Sequence, residues 1–279
     1  VDPSTMVAGR MGLTGELTGG AVIGLGLSTT ASSVGTVVEI IVNEVNADDV
    51  KLVLGVAALE SNTFLALAEG FIQDAANNAI EQVIQAVATA GYSVDDVAPK
   101  ISSLTVNMDA VTTATGAIAA GDVNTATITF NFDEPVDANT FRPTAVTLVD
   151  LTSGAFHMLT GGDYTMVNGR QVVLSLTIAD LNVIKQKDTL FIDLASSYVT
   201  IDATGLGLVK DMAGVVCAGI TDQQVSSYDA DNTKASLVGF DLDMNGAVGV
   251  LILSFQETVD ASSLIKQSIS LQRSSSVDT

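Results

Sequence analysis

One stretch that recurs within the chain constrains it more than any other feature. Phe132-Asp133-Glu134-Pro135-Val136-Asp137-Ala138-Asn139-Thr140-Phe141 returns 123 residues later as Phe255-Gln256-Glu257-Thr258-Val259-Asp260-Ala261-Ser262-Ser263-Leu264. The opening residues Val1-Asp2-Pro3-Ser4-Thr5-Met6 match its second half, 135 residues earlier. Self-similarity at long spacing marks a structural unit used more than once. A sequence that opens in the middle of its own repeat reads as an excerpt from an array.

The match extends along the chain. The first 37 residues align without a gap to 136–172, which sets Leu13 on Leu148 and Val37 on Val172. Ala47-Asp48 aligns with Ala179-Asp180, Phe71 to Asp74 with Leu208 to Asp211, and Tyr92 to Asp96 with Tyr228 to Asn232. Leu104 to Met108 falls on Phe240 to Met244, and a 13-residue insertion, Thr112 to Asn124, then separates the copies. An insertion of this kind suits a surface hairpin. Three units are expected: the C-terminal part of a module in 1–96, a complete module in 97–232 and the first strands of a third in 233–279. The first would have its opening strands missing or supplied by a neighbour.

Period-two alternation predicts strands. Ala126, Ile128, Phe130 and Phe132 point one way, with Thr127, Thr129 and Asn131 opposite; Leu251, Leu253 and Phe255 repeat the pattern. Phe240, Leu242 and Met244 are expected to face a core. Asn168-Gly169 predicts a type I′ hairpin turn between Tyr164–Val167 and Gln171–Leu176. Asp180–Lys187 and Asp48–Ala57 read as short helical crossovers, whereas Glu81–Ala90 reads as a last strand because its counterpart contains Gly219-Ile220-Thr221. The expected fold is all-β: tandem antiparallel β-sandwiches with one short helical crossover in each. The core should hold Ile128, Phe130, Phe132, Phe141, Val146 and Leu148.

Charge narrows the partners. With 32 acidic and 11 basic residues the net charge is −21, which argues against nucleic acid and against anionic membrane surfaces. The longest apolar run near the start, Gly19 to Leu27, is too short to span a bilayer. Cys217 is the only cysteine, so no disulfide forms within the chain.

The run from Thr127 to Asp150, through Phe132, Glu134, Pro135, Val136 and Asp137, together with the later turn Asp211, Ala213 and Gly214, resembles the bacterial Ig-like domains of S-layer and other surface proteins. Asp133 and Val215 depart from that pattern, where Ser and Asn are usual. In the first unit the turn reads Asp74-Ala75-Ala76-Asn77, without glycine. The resemblance implies tandem sandwiches in long extracellular proteins that act as stalks, lattices or adhesins, located at the cell surface, with no catalysis. Its implied partners are neighbouring modules or further copies of the same protein, in a head-to-tail array or by strand complementation. A calcium-dependent binding array, or accessory modules of a secreted enzyme, is the alternative.

The chemistry offered by the residues is sparse. His157, between Phe156 and Met158, reads as a strand residue, not a general base. Cys217 reads as a small buried hydrophobe. With no Trp and four Tyr, an aromatic carbohydrate platform is not expected. Asp241-x-Asp243-x-Asn245-Gly246 begins like an oxygen-ligand loop but has Ile252 where the closing Glu belongs. The better metal candidates lie between units: Asp95, Asp96, Asp229, Asp231, Glu134 and Asp137. Carboxylates gathered around a short linker repel one another unless a cation such as calcium joins them.

Overall fold

The computed structural model describes residues 1–16, 20–30, 33–53, 56–87, 92–110, 125–202 and 205–272. The insertion 112–124 lies outside them. The first part of the chain carries β1 (Met11–Thr14), β2 (Ile23–Gly24), β3 (Thr29–Thr30), β4 (Ile40–Ile41), helix α1 (Glu44–Leu52), β5 (Phe64–Leu67) and β6 (Val83–Val87). The middle part begins with β7 (Ile101–Ala110), β8 (Thr125–Asp137), β9 (Val146–Val149), β10 (Phe156–Met158), β11 (Asp163–Tyr164) and β12 (Gly169–Ser175). Helix α2 (Ile178–Lys185), β13 (Tyr198–Ile201), β14 (Lys210–Asp211), β15 (Ile220–Gln224) and β16 (Ser227–Asp229) complete it. A hairpin of β17 (Leu237–Asp243) and β18 (Val250–Phe255) follows.

The middle part packs two sheets on one apolar core. One sheet runs β11-β12-β8-β7-β16, with β14 also on β8; the other runs β10-β9-β13-β15. Pairings are antiparallel except that of β16 with β7, which is parallel. Alternation along β8 places Ala126, Ile128, Phe130 and Phe132 inward, at most 3% exposed. Val146, Leu148, Val199 and Ile201 of the second sheet join the same cluster. Phe141 meets Phe130 edge-on at 5.4 Å between ring centroids, a favourable arrangement of aromatic quadrupoles. All six expected core residues are buried.

The same strand order recurs in the first part, where the sheet runs β2-β1-β5-β6 in place of β10-β9-β13-β15. Smaller features recur with it. Asp2, Asp137 and Asp260 each cap a single 3-10 turn by accepting the N–H two residues on. Thr5 and Thr140 each accept a backbone N–H at 2.8 Å, from Gln73 and Lys210 respectively. Asp2 bridges Gln73 as Asp137 pairs with Lys210. Ala57 and Phe191 both hold positive φ, 52° and 56°. Their carbonyls accept the hydroxyls of Tyr92 and Tyr228. Such backbone persists only where its surroundings fix it, and here a tyrosine fixes it in both places. The apolar core of the first part is thinner: Met11, Leu25, Val50, Val56, Phe71 and Ile72.

Three details depart from the sequence reading. Both helices start earlier than expected because Asn43 and Thr177 cap them, each accepting the N–H three residues on. The caps align Asn46 with Asp180 and so move the helix correspondence by two residues. Asn168-Gly169 makes no tight I′ turn. Asn168 does not take positive φ, and its side chain accepts the Ala138 N–H at 3.0 Å, while Gly169 pairs with Val136. Finally, Phe240 and Leu242 of β17 and Met244 just after it are 58%, 44% and 70% exposed, so this face covers no core among the described residues.

Candidate functional site at the segment junctions

The end of β8 is where strand geometry becomes site geometry. Between Asn131 and Val136 the pairing slips: β12 advances only from Gln171 to Gly169 over the same stretch. Phe132 to Pro135 therefore bulge from the ladder with β12, while Phe132 stays paired with Ile101 of β7, in keeping with a proline that has no N–H to pair. The bulge re-aims Glu134, 8% exposed, away from the sheet and toward the first part of the chain. There Lys51, in the last turn of α1, donates to Glu134 and lies 2.7 Å from the Asp95 carboxylate. A cation at a helix C-terminus is also favoured by the helix dipole.

The second junction is built in the same way. Lys185, in the last turn of α2, reaches Asp231 at 2.5 Å and Glu257 at 2.6 Å. Lys51 and Lys185, Asp95 and Asp231, and Glu134 and Glu257 thus form two equivalent lysine clamps. Each ties a helix, the following linker and the next β-hairpin. Burial alone would lower both lysine pKa values, but the bonds to their two acids outweigh it and the values are raised. Further bonds flank each clamp. Arg170 of β12 grips Asp48 and Glu44 of α1, its Nη2 donating to Asp48 at 3.0 Å. Thr258 donates to Asn182 of α2 at 2.9 Å.

Asp211 adds a third carboxylate at the first junction. It offers an oxygen within 4.8 Å of those of Asp95 and Glu134. Burial raises the Asp211 pKa and the neighbouring Asp95 adds to the rise; the backbone N–H groups of Val215, Ala213 and Gly214 oppose it without cancelling it. Glu134 is raised too: burial dominates, Lys51 opposes, and Asp95 and Asp211 add to it. Lys51 is thus held charged while Glu134, deeper and beside two other acids, is held harder to ionise.

Of the six candidate ligands, the structure brings Asp95 and Glu134 together and places Asp231 against Lys185 with Glu257. Asp96 and Asp229 are exposed, and Asp137 caps the 3-10 turn that follows β8. Lys51, Lys185 and Asp211 were not among the candidates. The signal was present: few basic residues exist in the chain, and two of them fall 134 residues apart.

The remaining reactive side chains are committed elsewhere. His157 donates to Asp180 at 2.8 Å, and that buried carboxylate also accepts from Thr160 and Thr177. Cys217 is 1% exposed, and burial, with Asp133 and Glu134 nearby, pushes its thiol up to about 12. A thiol held so far from ionisation is a poor nucleophile. No helix among the described residues is long and apolar enough to cross a membrane. Comparison with protein-family models, curated proteins and solved structures finds no match to this chain.

Proposed function

We propose that this chain is a segment of a tandem array of Ig-like β-sandwich modules, divided as 1–96, 97–232 and 233–279, in a long extracellular surface, filament or adhesin protein. Its work is mechanical: each module buries its own core, and the lysine clamps set the angle and stiffness between neighbours. The observation that carries this reading is the repetition of the clamp, Lys51 with Asp95 and Glu134, then Lys185 with Asp231 and Glu257. Repeated joints of fixed chemistry suit a chain that grows in length without redesign. The commitment of His157 and Cys217 to structural bonds and burial supports a role without catalysis.

Single-molecule stretching tests the reading. Residues 97–232 should give way in one discrete step that releases about 450–490 Å of contour length. A chain that unravels gradually, without a force peak of that length, would overturn it.

A further inference from the structure

The pair Asp74 and Asp211 shows that the first junction holds more than a lysine clamp. Both aspartates open the same turn. Asp74 accepts the N–H groups of Ala76 and Asn78, each at 2.8 Å, and Asp211 those of Ala213 and Val215, at 2.9 and 2.7 Å. Their second oxygens differ. In Asp74 that oxygen accepts from the Asn78 amide at 2.9 Å. In Asp211 the equivalent donor is gone, because Val215 stands where Asn78 stands in the first copy. Oδ2 of Asp211 is buried without a hydrogen-bond partner, on a residue 2% exposed. An orphaned carboxylate oxygen is costly unless something else satisfies it.

What lies beside it is a set of charges out of balance. Asp95, Glu134 and Asp211 converge within 4.8 Å, and Lys51 is the one cation bonded to them among the described residues. Three ionised carboxylates and one ammonium leave two negative charges. A cleft of about 690 Å³ reaches the edge of the cluster at Lys51 and Asp95, with Met212 and Ala213, the neighbours of Asp211, also in its wall.

We infer that Asp95, Glu134 and Asp211 form a binding site for one hard divalent cation, with calcium as its natural occupant, which locks the first junction beside the Lys51 clamp. The inference rests on the proposed array. Three oxygen ligands from three separate segments, completed by water, suit the large and geometrically tolerant calcium ion better than magnesium. The bare Oδ2 of Asp211 is the anchoring ligand, and Val215 is the residue that frees it. Among the described residues the second junction has Asp231 and Glu257 but no third acid gathered with them, so one ion per chain is expected.

The test is calorimetric titration of the full chain with calcium chloride after EDTA treatment, with melting followed in parallel. The site predicts one ion per chain, with affinity of about 10⁻⁴ to 10⁻³ M, as in extracellular calcium modules. It also predicts a melting rise larger with calcium than with magnesium. Asp211→Asn should abolish the binding. Val215→Asn, which restores the amide donor, should weaken it about tenfold or more and leave a folded chain. Absence of binding, or unchanged binding in both variants, overturns the inference. Discrete unfolding of 97–232 under force would still stand in that event, so failure of the ion site is distinguishable from failure of the array.

Discussion

Replacing Lys185 with Met removes the second clamp and keeps most of its aliphatic bulk. Lys185 is 13% exposed on its side chain, Glu257 12% and Asp231 26%, so the loss leaves two acids largely out of water with no cation between them. Exposed pairs contribute under about 1 kcal/mol, while breaking a buried one costs about 3–5 kcal/mol. This partly buried clamp should fall between, at about 1–3 kcal/mol. The effect belongs to the docking of β17 and β18, because that hairpin has exposed faces and a two-stranded hairpin is marginal alone in water. Its undocked population should therefore rise roughly 5- to 150-fold. Hydrogen exchange read on 237–255 should accelerate by that factor, while β8 and β12 in the middle core keep their protection. Lys185→Arg should restore most of it. Unchanged exchange in the hairpin, or equal acceleration throughout 97–232, would refute the reasoning.

Other consequences are open to direct measurement. Burial alone would raise the Asp180 pKa, but bonds from His157, Thr177 and Thr160 outweigh it, so the folded value lies below the ordinary 3.8. Its contribution to stability is present above that pH and lost as pH falls through the depressed value; Asp180→Asn should flatten this acid limb in denaturant titrations carried below pH 3.8. Tyr228→Phe strips the partner from the Phe191 carbonyl and should cost about 1–3 kcal/mol in chemical denaturation. Gly214 sits at φ 92° with open space around its Cβ position, so Gly214→Ala should cost about 1 kcal/mol through backbone strain alone; Asn77→Gly in the matching turn should cost nothing measurable.

Much of the scaffold could be read from residue order, and its failures have physical causes. Alternation placed Phe130 and Ile128 inside, and the counterpart of Glu81–Ala90 marked it as a strand, as β6 bears out for Val83–Val87, with 88–90 outside the described residues. Helix starts were less legible because caps decide them, and Asn43 and Thr177 are different residues doing the same work. That two-residue offset set Lys51 against Val183 and hid its equivalence with Lys185. Asn168-Gly169 carries a strong hairpin signal, yet the tertiary demand of the Ala138 N–H claims the asparagine side chain. Charge counting at the linkers found the acids and missed the lysines, because helical residues reach the junction only in three dimensions. Asp211 read as a turn former, which it is. Its bare second oxygen follows from Val215 and from burial by neighbouring segments, and only the latter needs coordinates.

Native-state hydrogen exchange in increasing denaturant tests the central claim most directly. If a unit of structure has been used repeatedly, amides of β7, β8, β9, β12 and β13 should converge on one opening free energy. Those of β1 and β5 should converge on a separate, lower one, in keeping with their thinner core. A single isotherm shared by all of these strands would contradict the account, as would a boundary between cooperative blocks that falls inside 97–232.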